Sequence, residues 1–291
     1  MHRNFWFFCT LLLALITGAC SSTSTTTASS KPAETLYMDG MQALKVGKFK
    51  VAIEQFQEID QKHPFSPWAT RAQINLIYAH FKQGDYDDAV SDANRFIRLH
   101  PRHRHASYAF YMRGLANYQR ISDSYRDQSR TRETVTAFRE LIARFPKSDY
   151  AWEAQQMLLL CVNRIAEQEM VVGRFYLDRE EYIAAINRFT QVINNPEFQT
   201  TPYIEEALFS QVLASQRLGL TEEANNYAAV LGHNYPKSPF YQAALRLVKK
   251  GGDVSRGELA ALRQGVDEGS VLSRFFQGLA PTLLPTQTEV R

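Results

Sequence analysis

The chain has 291 residues, 45% of them hydrophobic and 22% charged, and its 33 Lys and Arg against 30 Asp and Glu leave a formal net charge of +3. A charge that small does not argue for a nucleic-acid partner. Three cysteines exclude a disulfide scaffold, so packing of a sizeable core must supply the stability.

Residues 1–19 read as an export signal. His2 and Arg3 precede an apolar run over residues 5–16, followed by Thr17, Gly18 and Ala19. The run is too short to span a bilayer. The small residues ahead of Cys20 resemble the lipobox of bacterial lipoproteins, with Thr17 departing from the usual Leu. An ordinary signal cut elsewhere is the plainer alternative. By the resemblance, Cys20 is the lipid attachment site and acylation there anchors the chain stably. Residues 20–32 then form an anchored Cys and a Ser/Thr-rich tether that cannot bury anything. Ser21 is not the Asp that marks inner-membrane retention, which implies the periplasmic face of the outer membrane. Of the three cysteines, Cys161 alone remains in the mature domain, in an apolar run that suits a small core residue.

Residues 33–250 carry an internal repeat. Gly47, Phe49, Ala52 and Pro64 recur 37 residues on as Gly84, Tyr86, Ala89 and Pro101. Each Gly suits a tight turn between antiparallel helices, each Ala a close helix approach, and each Pro a helix end. Between them, Phe49, Ala52, Ile53, Phe56 and Ile59 keep helical spacing. Further copies follow. One has Gly219, Ala224, Ala228 and Pro236; another has Tyr182, Ala185 and Phe189, with Glu180 in place of the Gly. A weaker one has Thr134, Phe138 and Pro146. This is the tetratricopeptide (TPR) pattern. It predicts an all-α, TPR-type α-solenoid of about five helical hairpins over residues 33–236.

Other stretches modulate that frame. Residues 121–132 read as a long exposed loop inside the third hairpin. Residues 149–177 read as one long helix feeding the fourth. A short helix over residues 239–249 caps the stack. Residues 251–291 are expected to be mostly disordered, with one short helical stretch at residues 258–263. No phosphate loop, nucleophile elbow or zinc-protease motif appears, so neither an enzyme nor a cofactor is expected. His100, His103 and His105 sit with Arg102 and Arg104 across a Pro-containing turn. They read as a basic, solvated turn rather than a metal site. Asp85, Asp87 and Asp88 begin a helix, where its dipole favours them.

Three segments carry a narrower resemblance. They are Pro64-Phe65 with Pro67, residues 94–99 (NRFIRL) and residues 111–114 (YMRG). With these the chain resembles the ComL family of outer-membrane assembly lipoproteins, the BamD type, over residues 33–245. The resemblance implies a scaffold of the β-barrel assembly machinery. Its implied partners are the BamA barrel subunit, small BAM lipoproteins and unfolded outer-membrane proteins. A TPR lipoprotein serving peptidoglycan binding, cell division or competence is the alternative. In the first two hairpins, Tyr37, Met41, Lys45, Ile74, Tyr78 and Lys82 would face a groove, with Phe65 at the junction. Aromatics beside cations suit an extended peptide with a terminal carboxylate, though Phe65 and Tyr78 equally suit packing between hairpins. In the fourth hairpin, Ile183, Ile186, Phe189 and Ile193 form an apolar face. Arg188 points off it, toward a carboxylate of the barrel subunit or else toward solvent.

Overall fold

The computed structural model describes residues 31–121, 128–250 and 254–267. The signal, Cys20, most of the tether and the tail beyond residue 267 lie outside the described residues. Ten helices form the five hairpins: α1 (Ala33–Lys45) with α2 (Phe49–Lys62), α3 (Pro67–Gln83) with α4 (Tyr86–Leu99), α5 (Ala106–Gln119) with α6 (Ser129–Arg144), α7 (Asp149–Asp178) with α8 (Tyr182–Asn194), and α9 (Ile204–Arg217) with α10 (Thr221–Asn234). Two more, α11 (Pro239–Lys250) and α12 (Arg256–Asp267), close the C-terminal end. Each hairpin helix packs on its neighbours in sequence. The first helices of the first four hairpins also touch one another in succession, and α9 touches α11. That arrangement is a solenoid, as the repeat predicts.

Sequence sets each element locally. Ser66 caps α3, accepting from the Trp68 N–H at 3.1 Å, with Pro67 in the first turn. Gly47, Gly84 and Gly219 close their turns at φ of 74°, 91° and 76°, values that only Gly reaches freely. At each, the following N–H donates to a carbonyl five residues back: Lys48 to Ala43, Asp85 to His80 and Leu220 to Ser215, all at 2.9 Å. The repeated Ala positions Ala52, Ala89, Ala185 and Ala224 are all 0% exposed, which fits the close approach expected of them.

The apolar faces merge into three cores. One joins α1 to α3; the second runs from α3 into the start of α7; the third takes Val135 of α6 and runs from the rest of α7 to α12. α7 is a single helix of 30 residues, as its uninterrupted period predicts. Its Ala154 belongs to the second core and its Cys161 to the third. Burial pushes the Cys161 thiol up to about 12, so the free cysteine behaves as an apolar side chain.

Three expectations need correction. α6 begins at Ser129, so residues 129–132 are helix rather than loop. Thr131 is fully buried there, and the Thr134 hydroxyl donates to the Arg130 carbonyl at 2.8 Å. The described part of the C-terminal segment is also ordered. α12 extends beyond the expected stretch and buries Leu259 and Val266 in the third core. Lastly, Ile183 is 68% exposed, whereas Ala185, Phe189 and Val192 form the buried face of α8.

Candidate functional site

A cleft of about 390 Å³ opens between the first turns of α3 and the turn ahead of α5. α3 contributes Pro67, Thr70, Arg71, Ile74 and Asn75; the turn contributes His103, Arg104 and His105. The α3 residues recur at three- and four-residue intervals because one helix face lines the cleft. Asn75 is buried, its Nδ2 donating to the Tyr37 hydroxyl and to the Arg71 carbonyl, both at 3.1 Å. The Arg71 guanidinium lies over the Trp68 ring, 5.2 Å from its centroid. Arg104 Nε donates to His105 Nε2 at 3.0 Å.

The surrounding turn is braced by a polar relay. Arg95 of α4 pairs with Asp60 of α2, whose other oxygen accepts from Gln73 Nε2 at 2.7 Å. Gln73 Oε1 then lies 3.0 Å from His100 Nε2, which must donate because the amide nitrogen already faces Asp60. Burial lowers the pKa of His100. Burial also lowers that of His103, aided by the positive charges of His105, His100 and Arg104. The positive charge of the cleft comes from the Arg71 and Arg104 guanidiniums in its lining, which suit an anionic group. Pro67 and Ile74 add an apolar wall. The chemistry fits a short peptide segment that carries an apolar side chain and a carboxylate.

Only part of the predicted groove set meets this cleft. Ile74 lines it. Tyr37 does not face a groove, because it is 4% exposed and packs against Phe56 and Trp68. Its hydroxyl reaches the site only through Asn75. Tyr78 is half-buried, wedged between the first and second cores, and Met41 packs against the first. Lys45 and Lys82 are exposed in the last turns of α1 and α3, where the helix dipole accounts for their charge. Phe65 is 100% exposed, so it is not packing between hairpins. The sequence reading missed Arg71, one turn before Ile74 on the same face, although that spacing was available. It also set aside His103 and His105 as a solvated turn, because nothing in sequence brings residue 71 to residue 104.

Arg188 finds its carboxylate within the chain. Its Nη1 donates to Glu169 Oε2 of α7 at 3.1 Å, and 38% of its side chain stays exposed. Among the described residues, no helix is long and apolar enough to cross a membrane.

Comparison with known proteins adds the following. A family model described as outer membrane lipoprotein, YfiO, matches residues 29–231. Outer membrane protein assembly factor BamD of Rickettsia prowazekii is 39% identical over 239 residues, covering 82% of this chain and 94% of that protein. The protein of the same name from Caulobacter vibrioides is 36% identical over 255 residues, covering 88% and 82%. Among solved structures, the TPR2AB domain of yeast Sti1 is 17% identical with a TM-score of 0.37, covering 84% of this chain and 96% of that one.

Proposed function

This chain belongs to the BamD family of outer membrane protein assembly factors, and we propose that it serves as a lipid-anchored, non-catalytic scaffold of the β-barrel assembly machinery. On this reading Cys20 carries the lipid and residues 21–32 give the solenoid reach from the periplasmic face of the outer membrane. The first two hairpins receive unfolded outer-membrane proteins. The C-terminal half meets the BamA-type barrel subunit, with the exposed edge of Arg188 beyond the Glu169 pair on that surface, and small lipoproteins join the assembly.

The observation that carries the substrate half of this reading is the cleft, where Arg71, Arg104 and His105 stand beside Ile74 and Pro67. A guanidinium matches a carboxylate with two parallel N–H donors. The exposed Phe65, two residues ahead of Pro67 in sequence, adds an accessible aromatic side chain to this end of the hairpin.

A purification from the membrane fraction in mild detergent tests the whole reading. The wild-type chain is expected to bring down a BamA-type barrel subunit and to cross-link to unfolded outer-membrane polypeptide. Cys20→Ala should leave the membrane fraction. Arg71→Glu should keep the barrel subunit and lose the cross-link. Recovery of the chain without a barrel subunit would end the scaffold assignment, and undiminished cross-linking by Arg71→Glu would move substrate away from the cleft.

A further inference from the structure

The turn between α3 and α4 gathers three candidate metal ligands. The imidazole of His80 and the carboxylates of Asp85 and Asp88 place their ligand atoms within 4.8 Å of one another. The backbone causes this. Gly84 reverses the chain at φ 91°, and the Asp85 N–H closes on the His80 carbonyl at 2.9 Å. Residue 85 therefore folds back over residue 80, and Asp88 follows in the first turn of α4. The same closure brings Lys48 to Ala43, Glu181 to Tyr176 and Leu220 to Ser215 in other hairpins. The turn itself thus needs neither a histidine nor an aspartate.

His80 supplies an independent sign of a ligand. Its side chain is only 8% exposed, yet Nδ1 is buried without a hydrogen-bond partner. Nδ1 faces Asp85 Oδ2 at 3.7 Å, and Nε2 lies 3.6 Å from Asp92 Oδ2. Both distances exceed a hydrogen bond. Asp92 is steadied from its far side by Arg95 Nη2 at 3.5 Å. Asp85 occupies the N-cap of α4 but makes no capping hydrogen bond with its side chain. A buried nitrogen with no partner is unfavourable unless something takes its lone pair.

We propose that this turn binds a divalent transition-metal cation, and that Zn²⁺ fits it best. One imidazole nitrogen with two carboxylate oxygens is a borderline donor set, whereas Ca²⁺ takes six to eight oxygens. At Zn–N and Zn–O lengths of about 2.0–2.2 Å, tetrahedral ligand atoms stand about 3.4 Å apart. Asp85 and Asp88 are exposed, so their side chains are free to swing in while buried His80 stays fixed. Water fills the fourth position. Asp92 would accept from Nε2–H, which fixes the tautomer that leaves Nδ1 for the metal. Bound there, the ion would clamp α3 to α4 at the turn that joins them in the second hairpin.

The test titrates the tag-free full-length chain, held in detergent and stripped with chelator, with ZnCl₂ by calorimetry. The wild type and a His103→Ala/His105→Ala variant are expected to bind one equivalent at micromolar concentration, with a Zn²⁺-dependent rise in Tm. The Asp85→Asn/Asp88→Asn variant should show neither effect. His80→Ala truncates a buried side chain, so the two exposed aspartates carry the comparison, with helicity checked by circular dichroism. Equal binding by the aspartate variant, absence of saturable binding to the wild type, or loss of binding only in the His103/His105 variant would each overturn the proposal.

Discussion

Glu180 stands where three other hairpins place glycine, and the backbone does not yield to it. Its φ is 65°, and the closing bond survives unchanged, with Glu181 N–H donating to the Tyr176 carbonyl at 2.9 Å. A side chain in this region costs about 1–2 kcal/mol, less what glycine loses in chain entropy. Glu180→Gly should therefore stabilise the domain by about 1 kcal/mol, read as a higher urea midpoint at constant slope. A lower midpoint would mean that the glutamate side chain makes an interaction worth more than the strain. The repeat register alone located this residue, since the spacing left no other position for the turn. Tyr37 shows where register stops being informative. Its helical spacing says that it shares a face with Met41, but both the groove and the core prefer aromatics. Only the contacts to Phe56, Trp68 and Asn75 decide between them.

At the scale of the helix pair, a size exchange runs through the repeats that the sequence reading did not notice. Gly40, Gly114 and Gly173 lie inside first helices of their hairpins, where glycine weakens a helix by about 1 kcal/mol. An added Cβ would approach the rings of Phe56, Phe138 and Phe189 to 2.6, 2.4 and 2.5 Å respectively. Each ring is fully buried and so cannot retreat. In the second hairpin the equivalent positions are Ile77 and Ala93, and in the fifth Val212 and Ala228, all buried. Where the first helix is bulky the second is small, and the reverse. Propensity and sterics thus predict opposite signs for one substitution. Gly114→Ala should destabilise by about 1–3 kcal/mol through overpacking, despite the better helix former. A gain in melting temperature would show that Phe138 can move aside. Single-chain periodicity could not reveal this, because it reports which positions are apolar and says nothing of which pairs must share one volume.

Across the whole molecule, the five hairpins were legible because most are punctuated locally by a turn residue, an aromatic, an alanine and a proline, with Thr134 replacing the alanine in the third and Thr221 the aromatic in the fifth. The C-terminal closure was not, since what fixes α12 is a contact 57 residues away in sequence. Arg263 Nε donates to Glu206 Oε1 at 2.8 Å, and Arg174 Nε donates to the same oxygen at 2.7 Å. Glu206 is 1% exposed, so it joins α7, α9 and α12 at a site shielded from water. Removing one member of a buried charge set costs about 3–5 kcal/mol. Glu206→Gln should lower stability by about 3 kcal/mol and open the segment after Lys250 to protease. A variant as resistant as wild type would show that the apolar contacts of Leu259 and Val266 suffice. The α7 helix has a different consequence, one of cooperativity. Stacked repeats ordinarily melt as a row of semi-independent units, but a single unbroken rod that begins in one core and ends in the next cannot unwind halfway without exposing both. The solenoid should then lose its protected amides in one step on either side of residue 160, and native-state hydrogen exchange should find no partly open form in which the last two hairpins are folded and the third is not.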